Sequence, residues 1–209
     1  MPVPLHIVDH PLAHDALATL RDKRTTPEHF RQAANRISVL LVAEALRDVP
    51  TDNATVDTPL GPAAGRRVGR DVVVVPVLRA GLGMLDAVLE LVPSARVGHI
   101  GLQRDEMTAV ASQYYSKLPA SLGGSYVLMI DPMLATGGSA VAALDLLARS
   151  GARTVRLVCI VAAPEGVAFV ERLHPEVDIY TPVVDRELNA QKYIVPGLGD
   201  FGDRLYGTV

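Results

Sequence analysis

The chain has 209 residues, 49% of them hydrophobic and 21% charged, a globular balance that excludes a disordered or fibrous protein. Twenty Lys and Arg against 23 Asp and Glu give a formal charge of -3 with no long basic run, which argues against non-specific nucleic-acid or membrane-surface binding. One cysteine, Cys159 inside "RLVCIVAA", excludes an internal disulfide framework or cysteine metal cluster and reads as a buried, inert thiol.

The start, "MPVPLHIVDH", lacks the basic region and apolar core of a signal peptide. No apolar run approaches the ~18 residues of a membrane span, so a cytoplasmic location is expected. No repeat or polar linker divides residues 1–209, which suggests one domain. In "TTPEHFRQAANRISVLLVAEALRDVP", Phe30, Ala33, Ala34, Ile37, Leu40, Leu41 and Ala45 recur at helical spacing. Thr26 suits the N-cap, Pro27 the first helical position, and Pro50 the end. The segment "TPLGPAAGRRVG" (58–69) reads as a hairpin arm or as a plain surface loop.

Val- and Ile-rich runs follow at 71–78, 96–102, 125–131 and 154–163, with helical segments "GMLDAVLELV" and "SAVAALDLLARSG" between them. Continuous apolar strands alternating with helices predict an α/β fold, a parallel sheet with helices on both faces. Ligands then bind at the carboxyl ends of the strands.

Arg79 stands at such a strand end, before Gly81 and Gly83. The pair imitates a dinucleotide fingerprint, but its third position is Asp86, which excludes NAD. A permanently charged guanidinium beside a glycine-permitted turn suits a pyrophosphate, or else a neighbouring carboxylate. Arg104 closes the next strand and can converge on the same anion. Residues 105–124 are long for a connection and suggest a mobile flap with Tyr114, Tyr115 and Lys117 as contacts; a twisted hairpin is the alternative.

In "VLMIDPMLATGGSA" (127–140) a strand ends at Asp131, and the small residues Ala135, Thr136, Gly137, Gly138 and Ser139 open a helix over 140–150. Unpaired N–H groups at a helix start, approached closely through glycine, suit one phosphate. Thr136 and Ser139 add hydroxyls, and Asp131 can accept from a sugar. An ordinary capped turn between strand and helix also satisfies the pattern.

The stretch Asp131, Pro132, Met133, Leu134, Ala135, Thr136, Gly137, Gly138, Ser139 resembles the phosphoribosyl pyrophosphate (PRPP) loop of uracil phosphoribosyltransferases. "HPLAHDALATLRDKRTTPEHFR", "TPLGPAAGRRVGRDVVVVPVLRAGLGM", "YYSKLP" and "YIVPGLGDFGDRLYGT" extend the resemblance over nearly the whole chain. It implies the phosphoribosyltransferase fold with a β-arm and a C-terminal base-binding hood, and transfer of phosphoribose from PRPP to N1 of uracil. It implies PRPP contacts from Arg79, Arg104, residues 131–139 and Asp200, and uracil contacts from Ile194 and Gly199 to Phe201. Asp131, Arg104 and Asp200 become the candidate catalytic residues, with Asp200 either a general base or a positioning group.

The resemblance further implies Mg²⁺ held mainly through PRPP, a homodimer or larger homo-oligomer, and GTP as an activator in some relatives. Phe201 departs from the family's usual small residue, which puts pocket shape in question. Asp203 and Arg204 read as a local ion pair. The rival functions are a phosphoribosyltransferase for another base, opposed by "YIVPGLGD", and an RNA-binding regulator of the same fold, opposed by the absence of a basic face.

Overall fold

The computed structural model describes residues 5–104 and 111–208; the side chains of Arg104 and Ala111 and all of 105–110 lie outside the described residues. In chain order the elements are β1 (Leu5–Ile7), α1 (Pro11–Arg21), α2 (Pro27–Ala45), β2 (Thr51–Thr58), β3 (Gly61–Val68), β4 (Val72–Leu78), a 3-10 turn (Ala80–Met84) and α3 (Leu85–Leu91). Next come β5 (Arg96–Val97), β6 (His99–Arg104), β7 (Ala111–Lys117), β8 (Tyr126–Ile130), β9 (Met133–Leu134) and α4 (Gly138–Arg149). The chain closes with β10 (Thr154–Val158), β11 (Val161–Ala162), α5 (Pro164–Leu173), β12 (Asp178–Thr181), β13 (Glu187–Leu188), β14 (Ile194–Val195) and α6 (Phe201–Tyr206).

The central sheet runs β1-β12-β10-β8-β4-β6-β7, with β5 also on β4. Every pairing in it is parallel except β6 with β7. Val72 and Val74 pack with α1, α2 and α6 in one core, while Val73, Val75 and Val77 pack with α4 and α5 in the other. Alternate residues of one strand therefore fill two cores, which is why β4 reads as a continuous apolar run. The expected α/β sheet with helices on both faces is the observed one.

Thr26 caps α2 as expected, its hydroxyl accepting from His29 N–H at 3.5 Å. The helix stops at Ala45 rather than Pro50, because Arg47 and Val49 N–H groups turn back onto Glu44 and Leu46 carbonyls. The expected run 154–163 breaks after Val158, where Ile160 and Val161 N–H groups bond Pro132 carbonyl and β11 begins beside β9. The sequence reading assigns no helix before Thr26; the structure forms α1 there, with Ala13, Ala16, Leu17 and Leu20 as its buried stripe and the His10 side chain accepting from Leu12 N–H.

The arm is a hairpin, with β2 and β3 paired from Thr51 and Val68 to Thr58 and Gly61. Its first strand lies earlier than the sequence reading placed it, because polar "TDNATVDT" carries no apolar alternation. No arm residue is fully buried, and Leu60 at the tip is 100% exposed. The expected flap over 105–124 is corrected for residues 111–117, which form β7 antiparallel to β6 with Tyr114 and Tyr115 exposed. Residues 105–110 of that expectation lie outside the described residues.

Candidate active site

A cleft of about 620 Å³ opens at the carboxyl ends of the parallel strands. Its floor comes from Val77 to Ala80 at the tip of β4 and from Asp131 after β8; one wall comes from Met133, Ala135 and Ser139, the other from Gln191 to Ile194 and Gly199 to Gly202. The size is that of a small-molecule pocket.

The loop at 131–139 is built from short-range devices. Asp131 N–H donates to Val158 carbonyl at 3.1 Å, and Met133 N–H donates to Asp131 Oδ1 at 3.4 Å. Gly137 caps α4 with φ +81, a left-handed conformation that a side chain would strain, and a Cβ there would lie 2.9 Å from Gly166 carbonyl. The helix begins at Gly138, two residues before the sequence reading, so both glycines and Ser139 shape its first turn. Thr136 Oγ1 accepts from Gly138 N–H at 3.4 Å. Pro132 and Leu134 are buried and do not line the cleft; they hold the loop through their carbonyls to Ile160, Val161 and Ala163 N–H groups.

Arg79 follows β4 across a cis Leu78–Arg79 peptide bond. Its Nη2 lies 3.6 Å from Asp203 Oδ1, so both readings of this arginine meet: it faces the cleft and it has a carboxylate neighbour. Gly81 lets the chain pass β8, since a Cβ would stand 2.5 Å from Ile130 carbonyl, a contact that explains this glycine without a dinucleotide. Backbone placement of Arg104 at the end of β6 agrees with the sequence reading.

The hood consists of β13, β14 and α6. Asp185, buried beneath it, takes both Arg21 Nη groups, at 2.6 and 3.0 Å, and Gly197 N–H at 2.8 Å. Arg204 does not pair with Asp203 as expected. Its Nη1 donates to Leu20 and Leu198 carbonyls and its Nη2 to Asp22 carbonyl at 2.6 Å, while its guanidinium covers the Phe30 ring. Burial among backbone acceptors lowers the Arg204 pKa below its ordinary value, and the group still serves as a cationic donor. Asp203 instead accepts from Thr208 Oγ1 at 2.7 Å.

Asp200 caps α6 through Oδ1, 2.8 Å from Asp203 N–H. The Phe201 side chain is 1% exposed and packs edge-on against Phe30 at 5.1 Å between ring centroids. Its bulk is taken up by the core, beside Gly83, where a Cβ would stand 3.0 Å from the Phe201 ring. Cys159 is fully buried and its thiol pKa is pushed up to about 12 by desolvation, as an inert thiol requires.

Asp131, Arg79, Ser139, Ile194, Gly199, Asp200 and Phe201 therefore share one cleft. Sequence reasoning missed Leu102, Gln191, Lys192 and Tyr193 in its lining. Lys192 has φ +66, held by an Asn189 side chain that accepts from Gln191 and Tyr193 N–H groups, and no local spacing announces that turn. Among the described residues no three His, Cys, Asp or Glu side chains assemble for a metal. No helix among them is long and apolar enough to cross a membrane.

A sequence model described as uracil phosphoribosyltransferase matches residues 7–208. The chain is similar to the uracil phosphoribosyltransferases of Symbiobacterium thermophilum, at 53% identity over 97% of each chain, and Shouchella clausii, at 49% over 98% of each. The solved structure of the AQ2163 protein from Aquifex aeolicus superposes with TM-score 0.93 at 40% identity over 97% of each chain. A hypoxanthine-guanine phosphoribosyltransferase from Bacillus anthracis shares the fold alone, with TM-score 0.51 at 12% identity, over 76% of this chain and 80% of that one.

Proposed function

This chain belongs to the uracil phosphoribosyltransferase family, enzymes that transfer ribose phosphate from PRPP to uracil and give UMP in pyrimidine salvage; on that premise we propose that the cleft holds both substrates end to end. The observation that carries this arrangement is the continuity of one cleft from Ser139 and Asp131 to Ile194 and Asp200. We read residues 1–209 as one domain.

The N–H groups of Thr136 to Ser139, at the positive end of the α4 dipole, take the 5′-phosphate, with the two hydroxyls assisting. Asp131 accepts from the ribose hydroxyls. Arg79 and Arg104 stabilise the departing pyrophosphate, whose loss leaves positive charge on ribose C1 and the ring oxygen. Backbone groups of Ile194 and Gly199 to Phe201 exchange hydrogen bonds with uracil O2, N3–H and O4. Asp200 orients the base, since its Oδ1 is already engaged by Asp203 N–H. Alignment of N1 with C1 supplies much of the rate.

The donor set fits Mg²⁺ held mainly by substrate, because that ion keeps its waters and needs one or two carboxylates, here Asp131 and Asp200, beside substrate phosphates. When bound it supplies charge neutralisation on pyrophosphate oxygens. The exposed arm supports a homodimer, since an isolated two-stranded hairpin is marginal in water. A cytoplasmic location follows the salvage role.

The test is a steady-state assay with PRPP, Mg²⁺ and labelled uracil, with cytosine, orotate and hypoxanthine alongside, and runs with and without GTP and metal. UMP formed from uracil alone, and only with metal, is expected; product from another base overturns the base assignment. A higher rate with GTP supports activation, and equal rates exclude it. Asp131→Asn should raise the PRPP KM at least about tenfold by removing charged hydrogen bonds to ribose. Unchanged PRPP kinetics would remove Asp131 from the ribose.

A further inference from the structure

The arginine assigned to pyrophosphate is held by the hood. Arg79 Nη2 lies 3.6 Å from Asp203 Oδ1, and its guanidinium carbon lies 5.8 Å from the centre of the Tyr206 ring. The Tyr206 hydroxyl donates to Arg79 carbonyl oxygen at 3.2 Å. All three contacts come from α6, whose first residue adjoins the cleft residue Asp200. Asp203 is itself fixed, since Thr208 Oγ1 donates to the same Oδ1 and the Asp203 N–H donates to Asp200.

The pair is loose. The side chains of Arg79 and Asp203 are 62% and 37% exposed, and their separation exceeds that of a short charge-assisted bond. Such a pair is weak and open to exchange with a multiply charged anion. The backbone bond from Tyr206, by contrast, does not depend on where the guanidinium points.

We propose that Tyr206 and Asp203 are positioning residues for the reaction. Tyr206 fixes the strand tip from which Arg79 reaches, and Asp203 is the counter-ion that pyrophosphate displaces from Arg79 when PRPP binds and that recaptures Arg79 when pyrophosphate leaves. The inference rests on the reading of Arg79 as a pyrophosphate contact. It deepens that reading, because the base end and the pyrophosphate end then share one helix. A merely structural ion pair would brace α6 and leave anion affinity alone.

The experiment measures the Kd of inorganic pyrophosphate with Mg²⁺ by calorimetry on the full chain, together with KM values for PRPP and uracil. Asp203→Asn keeps the shape and an acceptor for Thr208 but removes the charge. It should tighten pyrophosphate about two- to fivefold, the range of an exposed ion pair, and lower the PRPP KM to match. Tyr206→Phe loses only the hydroxyl and should raise the PRPP KM by about two- to tenfold, with the uracil KM held within about twofold. With Arg79→Ala, the Asp203→Asn effect should fall below about 1.5-fold, since coupled residues are not additive.

Unchanged or weaker pyrophosphate binding in Asp203→Asn, or equal tightening with and without Arg79, overturns the counter-ion role. An unmoved PRPP KM in Tyr206→Phe overturns the other half. If Arg79→Ala by itself leaves pyrophosphate affinity unchanged, the assignment of Arg79 fails instead, and the two failures are told apart.

Discussion

Loop 131–139 and the hood line opposite parts of one cleft, but they are held by different means. Loop 131–139 is shaped by residues within a few positions of each other: Asp131 on Met133 N–H, Thr136 on Gly138 N–H, and left-handed Gly137 opening α4. The hood is held by residues far away in sequence. Arg21 reaches Asp185, Arg204 reaches Leu20 and Asp22, Arg31 Nη1 reaches Leu205 carbonyl, and Phe30 meets Phe201. A site can thus join one half that folds by local rules to another half whose backbone directions are set by α1 and α2.

The sharpest way to break this comparison is Asp185→Ala. It removes the buried carboxylate that takes both Arg21 Nη groups and Gly197 N–H, leaving Arg21 only the Gly197 carbonyl at 3.0 Å, and losing one partner of such a pair costs about 3 kcal/mol. Thermal unfolding should fall by several degrees and the uracil KM should rise, while pyrophosphate affinity, which depends on the hood only through the α6 contacts to Arg79, should move less. Equal movement of both substrates would show that loop and hood are one mechanical unit.

Gly137→Ala attacks the other half. A side chain at φ +81, 2.9 Å from Gly166 carbonyl, costs about 2 kcal/mol, and the distorted helix start should raise the PRPP KM at least about tenfold. The comparison predicts a smaller change for uracil. Kinetics with each substrate varied in turn would decide it.

The smallest effect comes from a pair beyond both halves, at the amino end of the sheet, and serves as the reference. Asp48 takes Arg156 Nη1 and Nη2 at 2.7 and 2.8 Å and the Tyr126 hydroxyl at 2.9 Å. The Arg156 bonds, with help from Tyr126 and against desolvation, lower the Asp48 pKa to about 2. A depressed folded pKa means the pair's contribution is present above the ordinary Asp value near 4 and is lost as pH falls toward 2. The Asp48 side chain is 65% exposed, so solvent screening keeps this below about 1 kcal/mol. Urea midpoints of the native chain and Asp48→Asn should differ at pH 5 and draw together as pH falls toward 2, with both KM values unchanged at neutral pH. A gap that persists at low pH would assign the difference to packing rather than charge.

Much of the site was legible because its signals are local. Asp131 at a strand end, the small residues before α4 and Arg79 at the tip of β4 each stand beside the element that places them. The misreadings have physical causes. Asp203 and Arg204 are sequence neighbours on a helix and point apart, so one meets Arg79 and the other the end of α1. Phe201 sits next to Asp200 in the cleft but turns its ring into the core against Phe30. The first arm strand is too polar to show an alternation, and β7 is recognisable only through its pairing with β6.

The sequence by itself determined the α/β alternation, the burial of the strands on both faces, the capped start of α2 and the strand-loop-helix turn at 131–139. Each of these rests on periodicity or on turn chemistry within a few residues. Only the tertiary structure decided that the hood lines the same cleft as this loop, that α6 contacts Arg79, and that Lys192 and Tyr193 join the cleft. Those outcomes depend on contacts between residues more than a hundred positions apart, as with Arg21 and Asp185, and such contacts leave no local spacing to read.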